Sequence, residues 1–237
     1  MDSASRRLFF TGTDTEVGKT YVASLMVREL RQLGRCVGVY KPVASGCREC
    51  EQDVYSDDAA ALWEASGRRG SLQLVCPQRF LAPLAPPAAA AEEGRTVDEA
   101  LLVSGIDAVS DGADWLVIEG AGGLLSPLSQ TQLNSDVAAK LSAEVVVVAA
   151  NRLGAIHQVL STVLAAKALG LPVLGIVLNQ VTSQGDASTA SNAATIGRFT
   201  SVPVLAEIGW SATSTGVDWT TLAPVKKSDL PIPQAWL

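Results

Sequence analysis

The segment Gly12-Thr13-Asp14-Thr15-Glu16-Val17-Gly18-Lys19-Thr20 constrains this chain more than any other feature. It follows the apolar run Leu8-Phe9-Phe10, which reads as a buried strand. It precedes a stretch with Val22, Met26, Leu30 and Leu33 at helical spacing. Strand, glycine-containing turn ending Gly-Lys-Thr, then helix is the architecture of a phosphate-binding loop. The helix start offers unpaired N–H groups and a positive dipole end to phosphate oxygens. Thr13, Asp14, Thr15, Glu16, Val17 and Gly18 are therefore candidate nucleotide ligands, Lys19 reaches for the terminal phosphates, and the Thr20 hydroxyl is placed for the accompanying metal. The usual Gly-x4-Gly-Lys-Ser/Thr pattern would put a glycine at position 13. Thr13 stands there instead, and five residues separate Gly12 from Gly18.

At 237 residues the chain is long enough for one large α/β domain with a sizeable core. Hydrophobic residues make up 48%, which excludes a disordered chain. A net charge of −6, with no basic block, argues against a general nucleic-acid partner. No apolar stretch reaches the roughly 20 residues of a membrane span. Residues 1–7 run straight into the first strand without a cleavable apolar segment, so the cytoplasm is the expected location. Cys47 and Cys50 have metal or redox spacing, but a zinc site needs further ligands, and Cys36 and Cys76 lie in other segments. A loop with incidental thiols is the expectation.

Strand-like runs recur at residues 8–10, 37–40, 115–118, 145–149, 173–178 and 202–205. Helical patterns at residues 21–33, 97–110, 155–169 and 186–199 alternate with most of them. Alternation of this kind implies right-handed βαβ crossovers and a mostly parallel sheet flanked by helices, a P-loop NTPase-like α/β fold. Gly34 and Gly170 stand where helix C-terminal caps are expected. The Ala/Pro-rich residues 81–91 read as a loop and helix start within a single domain spanning residues 1–237. Beyond Trp210 the pattern weakens.

Ligands bind at the carboxyl ends of strands in such sheets, and several polar groups fall there. Lys41 ends the second strand, within Tyr40-Lys41-Pro42-Val43-Ala44-Ser45-Gly46, where it can supply a second positive charge to a phosphoryl group in transit. The strand Trp115-Leu116-Val117-Ile118 runs into Glu119-Gly120-Ala121-Gly122-Gly123, a carboxylate that can hold magnesium beside a turn that lets a ligand approach closely. Asp57 and Asp58 open a helix, and either can cap it or face the metal. Asn179 ends a late strand, where an amide can pair with an adenine edge or form a turn.

With these segments in view, the chain resembles the dethiobiotin synthetase family. The resemblance rests on Thr11 to Thr20, Tyr40 to Gly46, Glu119 to Gly123 and Leu153-Gly154-Ala155-Ile156, in the family's order and spacing from about position 8 to about position 210. The five-residue gap in the phosphate loop is typical of that family. The resemblance implies ATP- and magnesium-dependent closure of a cyclic urea, in which carbon dioxide and 7,8-diaminopelargonic acid (7,8-diaminononanoate) become dethiobiotin in biotin synthesis. A carbamate forms on one amine, its oxygen attacks the γ-phosphate, and the second amine attacks the resulting mixed anhydride and expels phosphate. By the match, Lys19 and Lys41 hold the transferring phosphoryl group, and Thr20, Asp58 and Glu119 surround magnesium. Thr15, Lys41, Ser45 and Gly122 touch the diamine or its carbamate. Glu16, Gly122, Asn179 and Glu207 join the nucleotide contacts. In the family a helix start, here Leu153, Gly154, Ala155, Ile156 and His157, reaches across a homodimer to the substrate carboxylate.

Three positions depart from the family's pattern. Pro-x-x-Pro-His reads Pro83-Leu84-Ala85-Pro86-Pro87, the asparagine after Leu-Gly-x-Ile is His157, and Glu-Ile-Pro-Trp reads Glu207-Ile208-Gly209-Trp210. A partition-type ATPase switch on a similar fold is the alternative. Such switches resemble one another in a lysine five places before the loop lysine, and here that residue is Asp14. A ligase with its own glutaminase would need a nucleophilic cysteine with a histidine, and His157 is the only histidine.

Overall fold

The computed structural model describes residues 5–50 and 53–225. In chain order the elements are β1 (Arg6–Gly12), α1 (Lys19–Gln32), β2 (Val37–Tyr40), β3 (Arg48–Cys50), β4 (Asp53–Tyr55), α2 (Asp57–Ala65), α3 (Leu72–Val75), α4 (Pro86–Glu92), α5 (Leu101–Ser104), α6 (Asp107–Ser110), β5 (Trp115–Gly123), α7 (Asn134–Lys140), β6 (Glu144–Ala150), α8 (Ala155–Ala168), β7 (Val173–Asn179), α9 (Thr189–Phe199) and β8 (Val204–Ile208). Six strands form one parallel sheet in the order β2-β5-β1-β6-β7-β8, and β3 and β4 form a separate antiparallel hairpin. This is the parallel α/β fold expected from the alternating pattern. The inner strands read as continuous apolar runs because both faces are covered, and β6 and β7 are buried along their whole length.

From β1 the chain passes to the edge strand β2, returns to β5 between them, and then crosses to β6, β7 and β8 on the other side of β1, so the carboxyl ends of β1, β5 and β2 lie side by side at a switch point. Register then fixes which side chains meet. Phe10 pairs with Glu119, and Tyr40 pairs with Ile118. Lys41, the next residue after Tyr40, is thereby brought level with Glu119, and the phosphate loop leaves β1 beside them.

Three expectations shift. The pattern at residues 97–110 forms two single-turn helices, α5 and α6, and not one helix. Gly105 lies between them against the Tyr40 hydroxyl, where a Cβ would collide, and that hydroxyl donates to the Leu101 carbonyl at 2.6 Å. The strand expected at 202–205 is β8, Val204–Ile208: Pro203 has no N–H to donate, and its carbonyl accepts from Ile176 N at 2.9 Å at the mouth of the ladder. The helix expected from residue 186 begins at Thr189, because the Asp186 carboxylate accepts from the Ser188 amide and hydroxyl and closes a turn first. The Ala/Pro-rich stretch carries α4, with proline in its first turn.

The segment after Trp210 showed no pattern, yet residues 213–225 are built into the fold. Trp219 is 1% exposed and packs on Phe10 of β1, with ring centroids 6.4 Å apart. The Glu29 carboxylate of α1 accepts from Ser214 Oγ at 2.7 Å, Thr215 N at 2.6 Å and Trp219 Nε1 at 3.1 Å. Further on, the Leu222 carbonyl accepts from Arg6 and the Val225 amide donates to Glu144. Residues 226–237, about which the sequence also offered no pattern, lie outside the described residues. No helix among the described residues is long and apolar enough to cross a membrane. Trp219→Ala should lower the unfolding free energy by about 3–5 kcal/mol, read from urea titration. A loss below about 1 kcal/mol would contradict a core role for this segment.

Candidate active site

The phosphate loop leaves β1 and enters α1 through two residues of positive φ, Glu16 at 56° and Gly18 at 85°. Gly18 is the helix cap, and a Cβ there would collide with the Asn179 amide. Asn179, at the end of β7, donates from Nδ2 to the Val17 carbonyl at 3.0 Å and so braces the loop from beneath. The Val17 side chain is buried in the core, which leaves only its backbone to face a ligand. Lys19 bends back over the loop and donates to the Asp14 carbonyl at 3.3 Å.

Glu119 is the hub of the cluster. It is fully buried, and its Oε1 accepts from Lys41 Nζ at 2.6 Å and from the Thr20 hydroxyl at 2.8 Å. Its Oε2 is buried without a hydrogen-bond partner among the described residues. Lys41 also reaches Asp58 Oδ2 at 3.2 Å. Neither aspartate caps α2: Ser56 Oγ does so by accepting from Ala59 N at 3.2 Å, Asp58 faces Lys41, and Asp57 turns to Arg48. Burial pushes the Lys19 ammonium below the ordinary lysine range, with the Glu119 charge opposing. Burial would lower Lys41 too, but the Glu119 and Asp58 carboxylates outweigh it and hold this ammonium above the usual range. The Lys41 charge in turn holds the Asp58 carboxyl below the usual carboxylate range.

These groups border a cleft of about 760 Å³ whose lining includes Thr15, Glu16, Lys19, Lys41, Ser45, Asp58 and Gly122. Its lining also includes Pro83, Leu84, Ala85 and Pro86, an apolar surface suited to an aliphatic chain. A second cavity, of about 310 Å³, shares Glu16 with the first and is bounded by Gly18, Tyr21, Asn179, Gln180, Val181, Trp210 and Ser211. Asn179 Oδ1 is buried there without a partner among the described residues. Thr13 faces neither cavity and lines a separate one with Gly123 and Ser126.

Two expected groups stand apart from both cavities. Glu207, within β8, accepts from Asn151 Nδ2 at 3.4 Å. At the start of α8 Leu153, Gly154 and His157 are exposed, Leu153 by 83%, while Ala155 is fully buried. The Leu153 amide is taken by Asp186 Oδ2 at 2.7 Å and the Ala155 amide by the Arg152 carbonyl at 3.0 Å. Cys47 and Cys50 flank the β3 hairpin as free thiols, and no cluster of potential metal ligands gathers around them among the described residues.

A family model described as an AAA domain matches residues 6–217. The ATP-dependent dethiobiotin synthetase BioD of Rhodopirellula baltica is 46% identical over 211 residues, covering 84% of this chain and 82% of that protein. The enzyme of the same name from Anaeromyxobacter dehalogenans (strain 2CP-C) is 44% identical over 86% of this chain and 90% of its own. The chain belongs to the dethiobiotin synthetase family. "BioD 1" of Escherichia coli (strain K12) is 35% identical, covering 88% of this chain and 92% of that protein. Among solved structures, the signal recognition particle receptor FtsY of Elizabethkingia anophelis aligns with a TM-score of 0.54 at 16% identity. The alignment covers 97% of this chain, which spans 65% of that receptor's length. This likeness shows the P-loop NTPase-like fold alone.

In this family member one supporting residue carried no motif. Asn134, fully buried at the start of α7, donates from Nδ2 to the carbonyls of Ala121 at 2.7 Å and Gly123 at 2.8 Å, and its Oδ1 accepts from the Ala121 amide. It ties down the glycine-rich carboxyl end of β5, which runs on past the expected strand end at residue 118 and borders the cleft. Only its place in the first turn of a short helix could have signalled it. Asn134→Ala should leave those carbonyls without donors and speed amide exchange across residues 121–126 at least tenfold, a step of about 1.4 kcal/mol. Unchanged protection there would contradict the bracing role.

Proposed function

We propose that this chain is an ATP- and magnesium-dependent cyclo-ligase that converts 7,8-diaminopelargonic acid and carbon dioxide to dethiobiotin, with ADP and phosphate as co-products, in biotin biosynthesis. The observation that carries the reading is the placement of Lys41. It is a buried ammonium held by Glu119 and Asp58 on the same cleft as the phosphate-loop Lys19. Two cations on one cleft suit a phosphoryl group passing from ATP to a substrate oxygen.

The amides of the phosphate loop and Lys19 hold the terminal phosphates. Lys41 stabilises charge on the transferring group, and its raised proton affinity keeps it cationic. Thr15, Ser45 and the Gly122 backbone orient the carbamate, and the wall from Pro83 to Pro86 covers the aliphatic chain. No side chain need act as a covalent nucleophile, so positioning and charge stabilisation are the protein's contribution. Thr20, Asp58 and Glu119 would hold magnesium. The unpartnered buried Oε2 of Glu119 fits a cation, and magnesium, when bound, would neutralise phosphate charge. Asn179 gives one Nδ2 hydrogen to Val17, and its Oδ1 is left as an unpartnered acceptor among the described residues. An acceptor suits the exocyclic amine of adenine and opposes the 6-oxo group of guanine.

The substrate carboxylate falls to the helix start of a second copy. The amides of Gly154, Ile156 and His157 have no partner among the described residues, and this helix start lies outside its own chain's cleft. One twofold dimer would then carry two complete sites. The four free thiols fit the cytoplasm.

The direct test is a product assay with diaminopelargonate, bicarbonate, ATP and magnesium, omitting one component at a time. Dethiobiotin should form only in the complete mixture; phosphate release without the diamine would favour the switch ATPase. Lys41→Ala should cut turnover about 100-fold or more while ATP still binds. Near wild-type turnover at saturating substrates would remove Lys41 from the mechanism.

A further inference from the structure

Helix α1 does more than present the phosphate loop. One residue past Thr20, the Tyr21 ring forms a wall of the smaller cavity, and its hydroxyl donates to the Ala212 carbonyl. Ala212 belongs to a turn closed by its own amide on the Gly209 carbonyl at 3.2 Å. Between these ends lie Trp210, which is half exposed and lines the same cavity, and Ser211, a non-glycine residue at φ 56°. A serine in the left-handed region is held there against a local steric cost. Among the described residues, the bond from Tyr21 is the only hydrogen bond tying residues 209–213 to another element. Two turns further along α1, Glu29 grips Ser214, Thr215 and Trp219, so the segment is fixed on its far side but not at Trp210.

Resting on the nucleotide reading above, we infer that Tyr21 is a positioning residue for the base of the bound nucleotide: by holding the Ala212 carbonyl it sets the Trp210 indole as the outer wall of the base cavity, opposite Asn179. The chemistry fits. A purine is a flat, polarisable ring that gains from an aromatic wall, while its edge amine meets the Asn179 acceptor. With the turn already fixed, the nucleotide does not bear the cost of ordering it on binding. The geometry also separates two jobs. Lys19 and Lys41 act on the phosphates, and Tyr21 acts only on how tightly the base is held.

The test uses the full-length chain, with ADP affinity measured by calorimetry for wild type, Tyr21→Phe, Trp210→Ala and the double variant. Tyr21→Phe keeps the ring and removes one hydrogen bond, so ADP should bind about 2- to 10-fold more weakly. The KM for ATP should rise in parallel, while kcat at saturating ATP stays near wild type. Because Tyr21 acts through Trp210, adding Tyr21→Phe to Trp210→Ala should cost little more than Trp210→Ala alone. Equal ADP affinity in wild type and Tyr21→Phe, or fully additive losses in the double variant, would overturn the inference. The two readings fail separately. Wild-type protein that binds ADP yet makes no dethiobiotin contradicts the reaction alone, whereas an ADP affinity indifferent to Tyr21 contradicts the clamp alone.

Discussion

A single buried carboxylate organises this structure. Glu119 lies midway along the central strand β5 with no access to solvent, and it holds the Lys41 ammonium and the Thr20 hydroxyl. A lone buried charge would be prohibitively costly, so its partners are as fixed as the strand itself. Removing one partner from a buried pair typically costs about 3–5 kcal/mol, because the other charge is left uncompensated. Lys41 and Thr20 therefore stay where the sheet register and the helix start put them, before any ligand arrives. The same burial that holds the cluster together creates its asymmetry. Lys19 is pushed down in proton affinity, and Lys41, paired with two carboxylates, is pushed up.

The arrangement follows from topology. β1, β2 and β5 are far apart in sequence, yet parallel pairing brings their carboxyl ends into line, and a one-residue change of register would point Glu119 to the other face. The loops are then pinned by groups buried for that purpose. Asn179 braces the phosphate loop from β7, and Asn134 braces the glycine-rich end of β5 from α7. Both are amides, able to donate and accept at once, which suits irregular backbone that no ladder satisfies.

Much of this was legible in the sequence. The apolar runs named the strands because buried parallel strands need continuous hydrophobic sequence, and Gly18-Lys19-Thr20 named the loop because phosphate binding needs that spacing. Lys41 was legible at a strand end and Glu119 as a carboxylate on an apolar strand, although β5 runs on to Gly123; their contact was not legible, since register is invisible until the strands pair. Asp57 and Asp58 could not be told apart, because the choice depends on Ser56 taking the cap. Residues 97–110 misled because the periodicity is helical, while the break is imposed by Tyr40 from another strand. The segment after Trp210 was silent because irregular backbone is held by scattered side-chain bonds to Glu29, Arg6 and Glu144, which leave no periodic trace. Asn134 and Tyr21 belong to the same class: residues whose role comes from what they touch.

The central claim is that Glu119 fixes Lys41 in the cleft as a buried cation. Lysine-by-lysine acetylation, read by mass spectrometry on the ligand-free protein near pH 8.5, tests it directly, because only the neutral, accessible amine reacts. Lys41 should resist modification far longer than the exposed Lys140, and Glu119→Gln should make it react much faster. Lys41 reacting as quickly as Lys140 in the wild-type chain, or at an unchanged rate in Glu119→Gln, would contradict the account.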